Sequence, residues 1–247
     1  MNFFSLFKRN LLFRLKKKIY NDKNLNNFNS LDELLYLYGS DKANVFKINN
    51  QKGHGYSKFY EQKLENYKNK KINILEIGSY AGASAAAFLK YLPNSTIFCF
   101  DINISKFEYD SKNIHVFGVD IKDKKKVQII LQNIFLQYKF SEFDIIIDDG
   151  SHNLSDILIG LKSFFKFVKN KGLYVIEDFK HPNYYQYNNN LNHILVDEFL
   201  INLKNNKISI SNIFTEKDQK LLMETIQKIE IFKGNLSDSD ICFLYKN

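Results

Sequence analysis

The sequence predicts an α/β fold of the Rossmann-like, doubly wound kind: a mostly parallel seven-stranded sheet that ends in a C-terminal antiparallel hairpin. Three observations predict it. Between residues 72 and 178, short apolar runs alternate with amphipathic helical stretches, the pattern of a parallel sheet covered on both faces. Each of those runs stops at an acid or a glycine. The chain has 247 residues, 45% hydrophobic and 25% charged, which suits one large domain with modest additions and excludes wholesale disorder.

Each element has its own reason. Ile72–Ile77 is an apolar run ending at Gly78, and Ala83–Leu92 follows as a helix. Thr96–Phe100 is a second buried strand closed by Asp101, and Ile114–Gly118 a third closed by Asp120. Val127, Ile130, Leu131, Ile134 and Phe135 mark one face of an amphipathic helix. Phe143–Ile147 is the most apolar strand and runs into Asp148-Asp149-Gly150. Leu154, Ile157, Leu158, Leu161, Phe165 and Val168 share one side of the next helix. Leu173–Ile176 is a fifth strand, ending in Glu177-Asp178, and Leu191–Lys204 reads as a helix. Lys228–Phe232 and Ile241–Tyr245 flank the turn-rich 234–240 and form the hairpin. Residues 21–71 read as short helices and loops, and no internal repeat or low-complexity linker appears.

The net charge of +8 is local. Residues 1–20 hold Lys8, Arg9, Arg14, Lys16, Lys17 and Lys18 with no acid, which leaves +2 on the other 227 residues, so nucleic acid is not an expected partner. Phe3, Phe4, Phe7, Leu11 and Leu15 recur there at helical spacing. Lys8-Arg9 break the apolar core that a signal peptide needs. Two readings remain: an amphipathic helix in peripheral contact with an anionic membrane surface, or an arm packed on a partner subunit or on the domain itself. No run reaches the ~20 apolar residues of a membrane-spanning helix. Two distant cysteines, Cys99 and Cys242, suggest a reducing cytoplasm, with the inner membrane surface as the variant the arm would allow.

In an open α/β sheet, ligands bind beyond the carboxyl ends of the strands. Acids stand at five successive strand ends here: Glu76, Asp101, Asp120, Asp148-Asp149 and Glu177-Asp178. One such acid is an ordinary turn or cap; five point to a functional rim. The first strand leads into Gly78-Ser79-Tyr80-Ala81-Gly82-Ala83-Ser84, a GxxxG turn that brings a helix N-terminus and bare backbone to a ligand. The spacing differs from the GxGxxG of dinucleotide enzymes.

With Glu76 ahead of the glycines and Asp101 ending the second strand, this region resembles the class I S-adenosylmethionine-dependent methyltransferases. Further motifs are Gly39-Ser40-Asp41-Lys42, His54-Gly55-Tyr56, Tyr60-Glu61, Asp148-Asp149-Gly150-Ser151-His152 and Gly172-Leu173-Tyr174-Val175-Ile176-Glu177-Asp178. Together they are similar to the metal-dependent sugar O-methyltransferases of macrolide biosynthesis, the mycinamicin and macrocin type, and to related bacterial glycan methyltransferases. The resemblance covers roughly residues 39–180 and fades in the C-terminal third, so it divides the chain into an arm and helical extension, 1–38, and a methyltransferase domain, 39–247.

The resemblance implies S-adenosylmethionine as cofactor, held by Glu76, Gly78, Tyr80, Gly82, Ser84, Asp101, Asp120, Asp148 and Tyr56. Asp101 would take the ribose hydroxyls, Asp120 the adenine, and Asp148 the cationic methionine end. It implies Asp149, Glu177 and Asp178 as ligands of Mg²⁺ or Mn²⁺, and His152 as general base. Three carboxylates make a hard oxygen site for such an ion. A histidine three residues past Asp149 reaches the same side, and its ordinary pKa of about 6.5 suits proton removal. The acceptor would be the hydroxyl of a sugar, nucleotide-sugar or glycan precursor; a catechol or other small diol is the alternative enzyme substrate. A silent cofactor- or glycan-binding assembly partner is the non-enzymatic alternative, and a homo-oligomer stays open. Each motif also has a plainer reading. Asp148-Asp149-Gly150 could be a turn capping the next helix, and Glu177-Asp178 could be solvated strand-end acids. Adjacent strand residues face opposite sides, so Glu177 and Asp178 can share a ligand only if the chain bends. Tyr184, Tyr185 and Tyr187 beside Asn188–Asn190 suit a sugar, and suit an exposed loop equally.

Overall fold

The computed structural model describes residues 3–22, 30–180 and 194–247. The structure is a Rossmann-like mixed sheet of seven strands with flanking helices, and the chain divides into two compact units, residues 1–141 and 142–247. The tyrosine- and asparagine-rich stretch 184–190 lies outside the described residues.

In the first unit, β1 (Ile72–Ile77), β2 (Ser95–Asp101) and β3 (Ile114–Gly118) lie in that spatial order, all parallel. Their register sets Ile77 beside Phe100 and Asp101 beside Gly118, so the three carboxyl ends finish on one edge. Ile74, Leu75, Ile97, Phe98 and Phe100 are buried, as an apolar parallel strand requires. Helix α1 spans Phe3–Leu15, α2 Leu31–Tyr38, α3 Ser57–Leu64, α4 Ala83–Tyr91 and α5 Lys124–Tyr138. Ser30 caps α2 by accepting from the Glu33 N–H, and Gly39, at φ 77°, ends it in the left-handed conformation. Leu31, Leu34 and Leu35 are the face of α2 that is buried.

Helix α1 packs on the domain itself. Its Leu6, Arg9, Asn10 and Phe13 are half-buried, whereas Phe7, Leu11 and Leu15 at i, i+4 and i+8 are exposed beside Lys8 and Arg14. After it, Ile19–Tyr20 pairs in parallel with Tyr109–Asp110. Among the described residues no helix is long and apolar enough to cross a membrane.

In the second unit, β4 (Phe143–Asp148), β5 (Val168–Glu177), β6 (Ile226–Lys233) and β7 (Asp240–Lys246) take the order β6-β7-β5-β4. β4 and β5 are parallel; β7 runs antiparallel to β5 and to β6, which is the expected terminal hairpin. The helices are α6 (Leu154–Phe164), α7 (Val196–Lys204) and α8 (Glu216–Thr225). Two local expectations change. Phe165–Phe167 forms a 3₁₀ turn and Val168 opens β5 instead of closing α6. The tenth-residue reach of β5 includes Lys169, whose ammonium pairs with Asp144 at 2.9 Å on the neighbouring strand. Helix α8 was not foreseen, because only Gln219 and Leu222 of its ten residues are buried and they draw no apolar stripe.

Candidate functional site

In the first unit the glycine turn and the acid after β2 hold each other. The Asp101 carboxylate accepts from the Tyr80 N–H at 2.8 Å and from the Asn103 N–H at 2.6 Å. Tyr80 has φ 41°, an uncommon setting for an aromatic residue, and its side chain is exposed. Gly82, at φ 80°, starts α4 under the ring of Phe107, where any side chain would strike that ring. Glu76 is buried beneath this turn and takes the hydroxyl of Ser84 from the first turn of α4. Asp120 lies past β3 and caps its own loop by accepting from the Lys122 N–H at 3.0 Å. Glu76, Gly78, Tyr80, Gly82, Ser84, Asp101 and Asp120 thus all stand at or beyond strand ends of one unit, as the sequence suggests.

Two other motifs of the first unit, Gly39–Lys42 and His54–Tyr56, are joined through the backbone. The His54 N–H donates to the Asp41 carbonyl, and the Tyr56 N–H to the Lys42 carbonyl. The His54 ring lies 3.8 Å from an Asp41 carboxylate oxygen and stacks near Tyr56 at 5.3 Å between centroids. Tyr56 and Lys42 are both buried. A buried lysine is rare unless it is paired, and nothing in its sequence position foretold it.

In the second unit the acids after β4 and β5 gather with a histidine. One ligand-type atom from each of Asp149, His152 and Asp178 lies within 4.8 Å of the others. His152 Nε2 is 3.6 Å from Asp149 Oδ1, too long for a hydrogen bond but close for an ion pair. Backbone conformation makes the cluster: His152 has φ 53° and Asp178 φ 49°. The bend at Asp178 is the departure from strand alternation that a shared ligand demands. Glu177, one residue earlier, is still in β5 and buried, and it is not one of the three clustered groups. The helix-cap reading of Asp149 loses its basis, since Asn153 caps α6 by accepting from the Ser155 N–H at 3.3 Å.

Asp148 takes a different path from Asp149. It is buried, accepts from the Tyr174 hydroxyl at 3.0 Å, and lies where only a glycine fits at position 160. Burial pushes its carboxyl up to about 7, against the hydrogen bonds from Tyr174 and the Gly150 N–H. The sequence assigns Tyr174 no role; the parallel register that sets Asp148 beside Ile176 brings the two side chains together.

The three clustered groups offer two carboxylates and an imidazole, a mixed oxygen and nitrogen set that accepts Mg²⁺ weakly and Mn²⁺ readily. The set fits a divalent cation, with Asp149 and Asp178 as the anionic donors and His152 as the third group.

No family model matches the chain. Among curated proteins it is similar to the mycinamicin VI 2''-O-methyltransferase of Micromonospora griseorubida, 29% identical over 132 residues, 51% of this chain and 31% of the relative. The demethylmacrocin O-methyltransferase of Streptomyces fradiae is 26% identical over 132 residues, 51% of this chain and 32% of the relative. The chain therefore spans about a third of the length of these relatives. Among solved structures, the MycE methyltransferase from the mycinamycin biosynthetic pathway, in complex with Mg and SAH, has a TM-score of 0.66 at 20% identity, covering 90% of this chain and 55% of its own. That likeness, with the strand pattern of the two units, shows that the chain is built on the Rossmann-like fold of that methyltransferase.

Proposed function

We propose that the protein is an O-methyltransferase that moves a methyl group from S-adenosylmethionine to a hydroxyl of a sugar or glycan precursor, with a divalent cation bound. The observation that carries this reading is the Asp149–His152–Asp178 cluster on a fold whose relatives are sugar O-methyltransferases. The sulfonium cofactor would supply an activated methyl group, so alignment would contribute much of the rate. A bound cation would fix the acceptor oxygen and lower its pKa.

The protein's own groups divide the remaining work. Asp101, which accepts from the Tyr80 N–H, would take the ribose hydroxyls, Asp120 would take the adenine, and the turn at Gly78–Gly82 would admit the cofactor against bare backbone. Tyr56 and Asp148 complete the cofactor set. Asp149, Asp178 and Glu177 would hold the cation, and neutral His152 would accept the hydroxyl proton. Cys99 and Cys242 are buried free thiols, which suits a cytoplasmic enzyme.

The test is an acceptor panel of sugars, nucleotide-sugars, catechols and small diols, with methylated product read by mass spectrometry. Product from a sugar alone supports the reading, product from catechols alone supports the small-diol enzyme, and no product with tight cofactor binding supports the silent partner. Calorimetry tests the cofactor. Asp101→Ala is expected to weaken S-adenosylmethionine binding by ~1.5–3 kcal/mol, the worth of hydrogen bonds to a charged group. Tight NADH binding with no affinity for S-adenosylmethionine would end the methyltransferase reading.

The outer face of α1 carries a second proposal, contact with an anionic membrane surface. Phe7, Leu11 and Leu15 are exposed between basic residues, the layout of an interfacial helix. The protein is expected to sediment with phosphatidylserine vesicles, and Phe7→Ser with Leu11→Ser to release it. Absence of vesicle binding by the parent protein at low salt would remove the proposal.

A further inference from the structure

The inner face of α1 reaches the loop that follows β2 and the end of β3, and through that loop it bears on the turn after β1. The Phe13 ring packs edge-on against Phe107, past β2, at 6.3 Å between centroids, and Phe107 in turn lies over Gly82 in the turn after β1. Past β2, Arg9 Nη1 donates to the Ile102 carbonyl at 3.0 Å, and Lys16 Nζ to the Lys106 carbonyl at 2.9 Å. At the end of β3, the Asn10 amide lies so close over Gly118 that a Cβ there would come within 2.6 Å of its oxygen. The same amide is fixed in turn by donating to the Leu6 carbonyl at 2.9 Å. A further link runs between the loops, from the Glu108 N–H to the Ala81 carbonyl at 3.0 Å, and Lys16 pairs with Glu108 at 3.2 Å.

These contacts are of a particular kind. Arg9 of α1 and Lys16 just past its end donate to loop carbonyls, so they fix backbone and not only charge. Irregular loops are the parts of a fold that open most readily. A helix that fastens such strand-end segments sets how much order a ligand must still impose when it binds, and that order costs affinity.

We infer that α1 is part of the cofactor site: a clamp that holds the loop after β2 and the end of β3, and through Phe107 the turn after β1, in their receiving shape, with Asn10 and Phe13 as its positioning residues. The inference rests on the proposed assignment of those loops to S-adenosylmethionine. It gives one helix two separable faces, an inner face for the cofactor and the Phe7–Leu11–Leu15 face for any surface contact.

Coupling between two sites is reciprocal, so the cofactor must also fasten the helix. The helix and its tail carry trypsin-sensitive bonds at Lys8, Arg9, Arg14, Lys16, Lys17 and Lys18. Saturating S-adenosylhomocysteine is expected to slow cleavage there about 5–20-fold, the lower part of the range for coupled sites. In calorimetry, Asn10→Ala and Phe13→Ala are expected to raise the Kd for S-adenosylhomocysteine by a similar factor at unchanged stoichiometry, and Phe13→Leu to restore most of the affinity. A merely structural helix would instead lower the melting temperature or the binding-competent fraction and leave the Kd of the remainder at the parental value; that result overturns the clamp. Cleavage at α1 that ignores a bound ligand overturns it as well. Failure of the parent protein itself to bind S-adenosylhomocysteine is a different result, which overturns the cofactor reading and the clamp with it.

Discussion

Asp149→Ala is expected to abolish methyl transfer, with turnover falling by about 10³-fold or more, because a cation that polarises an oxygen contributes several kcal/mol and each 1.36 kcal/mol is tenfold in rate. Asp178→Ala should do the same, and excess chelator should make the parent protein resemble both variants until Mg²⁺ or Mn²⁺ is restored. Stability separates this outcome from simple damage. Asp149 neither caps α6, which Asn153 does, nor lies in the interior, so its removal leaves no helix end open. Asp149 and Asp178 also crowd two carboxylates near one another, and like charges that close disfavour each other. In chelator, then, Asp149→Ala should melt near the parental temperature, since the lost contact with His152 offsets the relieved repulsion. In saturating metal it should melt below the parent, because a ligand of the native state stabilises only the protein that binds it. Full turnover in excess chelator would show the cluster to be structural, and the acid pattern at the strand ends would then need another explanation.

The parts of this chain that were legible in the sequence are those with a periodic or terminating signal. β1, β2, β3 and β4 are apolar runs cut off by Gly78, Asp101, Asp120 and Asp148, so both their presence and their ligand-facing ends could be read. Where polarity blurs a pattern, the reading fails for a physical reason. Lys169, Asn170 and Lys171 follow Val168 in β5 but look like a surface turn, because Lys169 is balanced by Asp144 across the pair and not by apolar neighbours. Val168 fits the spacing of α6, and only the intervening 3₁₀ turn moves it to the strand. The candidate site shows the same limit. Residue types named Asp149, Asp178 and His152 as chemistry, while left-handed backbone at His152 and Asp178 decides which groups meet, and no spacing rule announces φ near 50° in a histidine. The contacts of Asn10 and Arg9 were illegible altogether. Their partners are a glycine and a backbone carbonyl, which leave no complementary residue to find.

His152→Ala is expected to lower turnover about 10²–10⁴-fold, the range typical of a lost general base. A base acts in the transition state, so affinity for cofactor and for cation should change little while turnover and turnover over KM fall together. The sign of the pH dependence follows from the proton's direction. Imidazole must be neutral to accept a proton, so parental activity should rise as pH climbs through the histidine range, and that limb should vanish in the variant. The ring's position sharpens the test, because Nε2 sits 3.6 Å from Asp149 Oδ1 within the same cluster as Asp178. If the imidazole serves the cation as a donor, His152→Ala should demand far more metal, and raising Mn²⁺ should rescue most of the turnover. A base cannot be rescued in that way, since more cation supplies no proton acceptor. If the residue only shapes the turn, the left-handed backbone at φ 53° becomes the point of comparison. His152→Gly should then be at least as stable as the parent and keep its specific activity, whereas a lost base leaves it as inactive as His152→Ala. Near-parental turnover in folded, metal-saturated His152→Ala would remove the catalytic role and leave the fold and the cofactor loops untouched.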